Sequence, residues 1–210
     1  MNAIDKYKSE KISAVIRTDD CDYSLNIANA LIKGGVKIIE ITVEDPKMYS
    51  VVKELCESTD ATIVAGGVIT ARQAQEVIKA GAKAIVSPIF QPNLVRLCQA
   101  QNTPVITTAT TPNEAYQAWK ARVPLIKIFP SQQMGGAVYI QDLLRPMPFL
   151  NVIATGNVLL EDFHEYLEVG ATAVTIGRDF WQYATYEDIT SRAEATVEKI
   201  KAFKDSNIGK

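Results

Sequence analysis

Short apolar runs rich in β-branched residues alternate along the chain with longer amphipathic stretches, and this alternation limits the fold more than any other feature. The runs are almost continuously hydrophobic, which is the pattern expected when helices cover both faces of a parallel sheet. They predict eight strands, at Ile12–Arg17, Lys37–Val43, Thr62–Ala65, Ala84–Ser87, Pro104–Thr107, Leu125–Phe129, Asn151–Ala154 and Ala173–Ile176. Eight parallel strands with helices between them predict an α/β protein, a single (β/α)8 TIM barrel formed by one domain over residues 1–210.

Residues that start and stop helices stand between these runs. Asp19-Asp20 and Asp45-Pro46 predict helix starts, and Thr111-Pro112-Asn113-Glu114 predicts a capping box with proline in the first turn. Glycine favours the left-handed conformation that ends many helices. Three predicted helices end on such residues, at Gly34-Gly35, Gly81 and Gly170.

An open, doubly wound sheet is the competing architecture. It would carry a glycine-rich phosphate-binding turn after the first strand. The turn here is Arg17-Thr18-Asp19-Asp20, without glycine, so the barrel is favoured. We expect the last helix, Asp188–Phe203, to pack outside the barrel and Asp205–Lys210 to form a frayed tail.

Composition and charge exclude several classes of partner. The net charge is −2 and no block of Lys or Arg interrupts the sequence, so we expect no nucleic acid and no anionic membrane surface as partner. No run of eighteen apolar residues indicates a transmembrane helix, and Met1–Lys6 lacks the apolar core of a secretory signal.

Cysteine and histidine usage points to a reduced, metal-free protein. Cys21, Cys56 and Cys98 are odd in number and widely spaced, which indicates free thiols and a cytoplasmic location. His164 is the only histidine and falls in an amphipathic helical stretch, so a histidine-rich metal site cannot be assembled from one chain. We expect neither a metal nor a cofactor.

Lys127 is the most informative single residue. It lies within Leu125–Phe129, an otherwise apolar predicted strand. Enclosure disfavours the ammonium form and yields a neutral amine able to attack a carbonyl group. The alternative is a lysine that merely pairs with a carboxylate inside the barrel.

Glu40 is the corresponding anomaly on the second strand, where it stands among isoleucines. A carboxylate in that setting is costly unless it is paired or used. Beside Lys127 it could shuttle protons for Schiff-base chemistry, or the two could form a purely structural ion pair.

Several segments around these residues resemble the KDPG/KHG (2-keto-3-deoxy-6-phosphogluconate / 4-hydroxy-2-oxoglutarate) class I aldolase family, from Ile12 to about Trp181. Strand two with its I-E-[IV]-T pattern and the K-[IF]-F-P segment are the most specific in combination. The matching segments are Ala14-Val15-Ile16-Arg17, Gly34-Gly35-Val36, Ile39-Glu40-Ile41-Thr42, Ala65-Gly66-Gly67-Val68, Ser87-Pro88, Lys127-Ile128-Phe129-Pro130, Thr155-Gly156 and Ile176-Gly177.

The resemblance implies a role for each matching residue. Lys127 would form the Schiff base with a 2-oxo acid and Glu40 would act as general acid and base. The remaining candidates would bind substrate, namely Arg17, Pro88, Phe129, Thr155, Gly156 and Arg178. The family also implies a homotrimer that works without metal.

The sequence departs from the family pattern mainly in the residues that would recognise substrate. Glu44 stands where the best-known branch has a substrate-binding arginine, and Val68 replaces a threonine. Thr107-Thr108 replaces a proline–glycine pair on the fifth strand. Asn157 and Arg178 replace small residues of the phosphate-binding turns, and Asp179 adds a negative charge there. The substrate therefore need not be the standard phosphorylated sugar acid.

Three functions follow from these observations. The first is cleavage of a 2-keto-3-deoxy or 4-hydroxy-2-oxo acid to pyruvate, or to a glyoxylate or aldehyde product pair, by an aldehyde-lyase. The second is a sugar-phosphate isomerase or epimerase in which Glu40 is the base and Lys127 acts only electrostatically. The third is a catalytically impaired relative that binds a metabolite, since fold alone does not fix function.

Overall fold

The computed structural model describes residues 1–206, in which eight parallel strands close into a barrel. Each strand pairs with the next, and β1 pairs with β8 to complete the ring. The strands are β1 (Ile12–Ile16), β2 (Ile38–Thr42), β3 (Thr62–Gly66), β4 (Ala84–Ser87), β5 (Val105–Ala109), β6 (Leu125–Ile128), β7 (Val152–Thr155) and β8 (Ala173–Ile176).

Helices follow the strands and surround the barrel. Within residues 1–206 they are α1 (Ala3–Glu10), α2 (Cys21–Lys33), α3 (Met48–Ser58), α4 (Ala71–Lys79), α5 (Pro92–Ala100), α6 (Pro112–Lys120), α7 (Gly136–Leu144), α8 (Phe163–Glu168), α9 (Arg178–Trp181) and α10 (Tyr186–Ser206). None of the helices in this part of the chain is long and apolar enough to cross a membrane.

The predicted barrel and its eight strands are confirmed, with no strand end displaced by more than two residues. Asp20 caps α2 by accepting a hydrogen bond from the Tyr23 N–H, and Thr111 forms the predicted capping box with Glu114. The helix start predicted at Asp45-Pro46 is wrong. Asp45 accepts a hydrogen bond from the Lys47 N–H at 3.0 Å, which closes a local turn and delays α3 until Met48.

The two ends of the chain also differ from expectation. The sequence reading did not predict α1, which Asn2 caps through a hydrogen bond from the Asp5 N–H. The last helix is longer than predicted and runs to Ser206. Asp205 and Ser206, expected in a frayed tail, are therefore helical, and the rest of that predicted tail lies outside the described residues.

Two apolar layers hold the barrel together. The outer layer packs outward-facing strand residues against the helices. The inner layer fills the N-terminal end of the barrel, where side chains from seven strands meet the buried face of α1. Its members are Ala3, Ile4, Tyr7, Ile38, Val64, Ala84, Val86, Ile106, Leu125, Ile153 and Ala173. This plug closes the bottom of the barrel.

Candidate active site

A cavity of about 1610 Å³ opens at the C-terminal ends of the strands. This is the face at which parallel-barrel enzymes bind and transform substrates. The eight residues predicted for the site all line it, namely Arg17, Glu40, Pro88, Lys127, Phe129, Thr155, Gly156 and Arg178. They lie together because each stands in the middle or at the C-terminal end of its own strand, or just after it.

Lys127 and Glu40 form an ion pair on the floor of this cavity, with Nζ donating to Oε2. Their side chains are only 5% and 4% exposed. Both point inward, one pleat above the apolar plug residues Leu125 and Ile38. Removing two charges from water costs several kcal/mol per ion, so such a pair is poor evidence for stability alone.

Glu40 occupies its position because the neighbouring strand has no side chain there. A Cβ atom added to Gly66 would lie 2.9 Å from Glu40 Cδ and would also collide with Oε1. Gly66 is the last residue of β3, a strand in which every residue is buried. The glycine therefore provides the space in which the carboxylate reaches Lys127.

Threonine hydroxyl groups and Pro88 form the wall beside Lys127. Thr155 is buried, and its Oγ1 donates to the Thr175 carbonyl at 3.3 Å while its N–H donates to Ser131 Oγ at 3.1 Å. Thr108 also lines the cavity, and its Oγ1 donates to the Ser87 carbonyl at 2.9 Å. These bonds fix both threonine side chains before any substrate enters.

Phe129 and Gly156 form one rim of the cavity. Gly156 has φ +95°, and a Cβ atom there would lie 2.8 Å from Pro130 Cα and 2.9 Å from Phe129 Cδ2. Only glycine fits a site with both a left-handed backbone and so close a neighbour. Phe129 itself follows β6 and remains 51% exposed, so its ring edges the opening.

Arg178, Asn157 and Asp179 also line the cavity mouth. Arg178 is exposed at the start of α9, while the Asp179 carboxylate accepts a hydrogen bond from the Leu160 N–H at 2.7 Å. Arg192, on α10, donates to the carbonyl oxygens of Asp179 and Phe180 at 3.1 and 3.3 Å. Asp179 thus fastens the loop after β7, and α10 supports the turn that carries Arg178.

Two of the departures from the family pattern have clear structural consequences. Glu44 pairs with Arg17 at the mouth of the cavity, where the side chains are 49% and 66% exposed. Val68 is fully buried in the outer layer and does not line the cavity.

His164 is exposed on α8, and within residues 1–206 no three His, Cys, Asp or Glu side chains converge as metal ligands would.

Among the residues that line the cavity, sequence reasoning did not identify Arg192, Trp181 or Thr175. Trp181 is nearly buried and its Nε1–H donates to the Val15 carbonyl at 3.0 Å. Trp181 reaches the site because α9 packs against β1, and Arg192 reaches it because α10 packs against α9. Of these residues, Thr175 alone gave a local signal of a site in the sequence, since it is a polar residue within an apolar predicted strand.

Fold and site together define a (β/α)8-barrel enzyme whose cavity encloses a lysine and a carboxylate. A family model described as KDPG and KHG aldolase matches residues 3–200. The chain belongs to this family, and its activity is that of an aldolase, a lyase.

Individual relatives agree with this assignment. The chain is 32% identical over 167 residues to the 2-dehydro-3-deoxy-phosphogluconate aldolase of Haemophilus influenzae, covering 79% of each chain. It is 25% identical to the KHG/KDPG aldolase of Escherichia coli, covering 89% of this chain and 91% of that one.

Solved structures share the fold. A structure described as native KDPGal superposes with a TM-score of 0.84 at 25% identity, covering 92% of this chain and 96% of that one. The KDPG aldolase of Legionella pneumophila, with pyruvate captured as a covalent carbinolamine, gives a TM-score of 0.85 at 23% identity, covering 93% and 98%.

Proposed function

We propose that this protein is a class I, metal-independent aldolase that cleaves a 2-keto-3-deoxy or 4-hydroxy-2-oxo acid through a Schiff base on Lys127. The observation that carries the proposal is the buried Lys127–Glu40 pair on the floor of the cavity. A nucleophilic amine and a proton acceptor in contact, both largely buried, are the parts that imine chemistry requires.

Imine formation begins with proton transfer inside the pair. Glu40 accepts a proton from Lys127, and the neutral Nζ attacks the C2 carbonyl carbon of the substrate. The N–C bond forms as the C=O π bond breaks, and the oxygen takes the proton held by Glu40 to become the hydroxyl of a carbinolamine. Glu40 then removes a second proton from the nitrogen. That hydroxyl leaves as water with a proton supplied by Glu40, which yields a protonated imine.

Bond cleavage uses the imine as the electron acceptor. Glu40 removes the proton of the C4 hydroxyl, the C3–C4 bond breaks, and its electrons form an enamine with the imine. An aldehyde departs, which is glyoxylate when the substrate is 4-hydroxy-2-oxoglutarate. Protonation at C3 by Glu40, followed by hydrolysis of the imine, releases pyruvate and restores Lys127.

The other predicted residues divide between the two halves of the substrate. Pro88, Phe129 and Thr155 would contact the pyruvate half, beside Lys127. Arg17, Arg178 and the backbone at Gly156 would bind the distal half and its anionic end. Two arginines at the rim support this assignment, because guanidinium groups match carboxylate and phosphate oxygens in geometry and charge.

We propose that the distal half of the substrate carries less negative charge than the phosphorylated end of the sugar acid for which several relatives are named. Glu44 already pairs with Arg17, and Asn157 stands in a turn where a second glycine would let phosphate approach the backbone. These features support an unphosphorylated or singly charged distal end.

The direct test is pyruvate release from three substrates: 2-keto-3-deoxy-6-phosphogluconate, its unphosphorylated analogue and 4-hydroxy-2-oxoglutarate. We expect turnover of at least one, with the phosphorylated compound not strongly preferred. Lys127→Arg is the matched control, since it keeps a cation beside Glu40 but removes the nucleophile. Strong preference for the phosphorylated acid would exclude the proposed distal specificity, and binding without turnover would favour the metabolite-binding alternative.

We also propose a homotrimer located in the cytoplasm. The family resemblance supports both, and one structural neighbour is a protein cage designed by fusing symmetric oligomeric domains. The three free cysteines agree with a reducing compartment. Light scattering should give a mass near three times 23.1 kDa, and a mass near 23.1 kDa would exclude the trimer.

A further inference from the structure

Thr108 lies beside Lys127 on the wall of the cavity. The two residues are partners in the register of β5 and β6, and both line the cavity. Residues paired in this way point to the same face of a sheet, and neighbouring strands lie about 4.8 Å apart. The side chain of Thr108 therefore points into the barrel next to the amine that would form the Schiff base.

The hydroxyl group of Thr108 fixes the orientation of its side chain. Oγ1 donates to the Ser87 carbonyl at 2.9 Å, from β5 to β4. A β-branched side chain has few χ1 rotamers, and this hydrogen bond selects one that turns the hydroxyl toward β4. The Cγ2 methyl group is consequently turned away from β4. Since Thr108 is only half-buried, its side chain meets the open space of the cavity.

An imine on Lys127 would bring two substrate groups close to this wall. The carboxylate carbon C1 and the carbon C3 both lie two bonds from Nζ. A carboxylate beside Thr108 would find the hydroxyl already committed as a donor to Ser87. A CH2 or CH3 group at C3 would instead meet the methyl group in an apolar contact. The geometry thus favours C3 as the neighbour of Thr108.

Resting on the proposed function, we propose that Thr108 is a specificity-determining residue. Its methyl group contacts C3 of the imine and restricts the enzyme to 2-oxo acids without a substituent on that carbon. Pyruvate has only hydrogen at C3, whereas 2-oxobutanoate carries a methyl group there. The substrates that this protein cleaves accordingly have a CH2 group at C3. Thr108 is also a departure from the family pattern, so a side chain stands where glycine would leave the wall open.

Exchange of the C3 hydrogens in heavy water tests this inference without knowledge of the distal half of the substrate. Glu40 takes a C3 proton from the protonated imine, the C–H electrons form the C2=C3 bond of the enamine, and the C=N π electrons return to nitrogen. Addition of a solvent deuteron at C3 and hydrolysis release the labelled acid. The measurement is kcat/KM for this exchange, followed by proton NMR with pyruvate and with 2-oxobutanoate.

Thr108→Ser removes the methyl group and keeps the hydroxyl that bonds to Ser87. We expect the ratio of kcat/KM for 2-oxobutanoate to that for pyruvate to rise about tenfold or more, which is the range for one carbon in a fitted pocket. Thr108→Val keeps the shape and loses the hydrogen bond, so the ratio should stay in favour of pyruvate.

Thr107→Ser is the matched control. Thr107 is the preceding residue of the same strand and is fully buried, and by the alternation of side chains it points toward the helices rather than into the cavity. The same substitution there should leave the ratio unchanged.

Two results would overturn the inference: an unchanged ratio in Thr108→Ser, or an equal rise in Thr108→Val. Exchange of pyruvate by the wild type separates this inference from the proposed function. If the wild type exchanges pyruvate but the ratio does not respond to Thr108→Ser, only the role of Thr108 fails. If folded wild type neither exchanges pyruvate nor forms a borohydride-reduced adduct with it, the proposed function fails and the role of Thr108 fails with it.

Discussion

Arg17 and Glu44 form an ion pair at the mouth of the cavity, immediately beyond the ends of β1 and β2. Both side chains are about half exposed, at 66% and 49%. An exposed pair of this kind contributes little, typically about 0.2–1 kcal/mol. A substrate anion can therefore compete with Glu44 for Arg17 at small cost, although Glu44 still opposes the approach of a dianion.

Glu44→Gln should consequently improve the use of highly charged substrates. We expect kcat/KM for the phosphorylated acid to rise about twofold to fivefold relative to that for an unphosphorylated one, since that range matches the strength of an exposed pair. The same substitution at Glu54, exposed on α3, is the control. An equal change for both substrates would mean that Glu44 does not influence distal specificity.

Gly66→Ala should reduce catalysis without a matching loss of the fold. The new methyl group would lie within 2.9 Å of Glu40 Cδ and would force the carboxylate away from Lys127. A displacement of about 1 Å can cost roughly 100-fold in rate, so kcat should fall by about that factor.

Gly35→Ala is the comparison for that variant. Gly35 has φ +93° just after the end of α2, far from the cavity. A Cβ atom added there would lie 3.6 Å from the nearest side-chain atom, which belongs to Val197. We expect a lower Tm and an unchanged kcat. If the two variants lose activity in proportion to their loss of Tm, Gly66 has no specific role in seating Glu40.

Glu114 should govern part of the acid sensitivity of the fold. Hydrogen bonds from the Thr111 and then the Thr110 N–H groups lower the pKa of this capping-box carboxylate below its ordinary value of 4.5. Its contribution to stability is therefore complete above about pH 4.5 and is lost as pH falls through the lower, folded-state value. Glu114→Gln removes this titration.

Urea unfolding at pH 6 and at pH 3.5 checks that expectation. The free energy of unfolding should fall less steeply between these pH values in Glu114→Gln than in the wild type, and the difference should be small because the group is exposed. A steeper fall in the variant would contradict the assigned sign. Glu54→Gln again serves as the control.

The alternation of apolar runs was sufficient to predict the barrel, because a strand covered on both faces leaves a continuous hydrophobic signal. Two helices were less predictable. The sequence of α1 resembles a polar tail until Ala3, Ile4 and Tyr7 are seen against the barrel floor. The start of α3 was misplaced because Asp45 can cap a helix or close a turn, and the choice depends on its surroundings.

The site was predictable to the extent that it lies on strand ends. Parallel strands bring their carboxyl ends to one face, so Lys127, Glu40 and Thr155 could be expected to meet. The Arg17–Glu44 pair and the approach of Arg192 depend on long-range packing, which no local pattern encodes.

The most direct test of the central claim is borohydride reduction in the presence of pyruvate, followed by peptide mapping. The account predicts a reduced pyruvyl adduct on Lys127 and none in Lys127→Arg. It also predicts slower adduct formation in Glu40→Gln, because proton transfer within the pair is lost. Unmodified Lys127 in folded protein with Glu40 intact would contradict the Schiff-base mechanism and would favour an isomerase or a metabolite-binding protein.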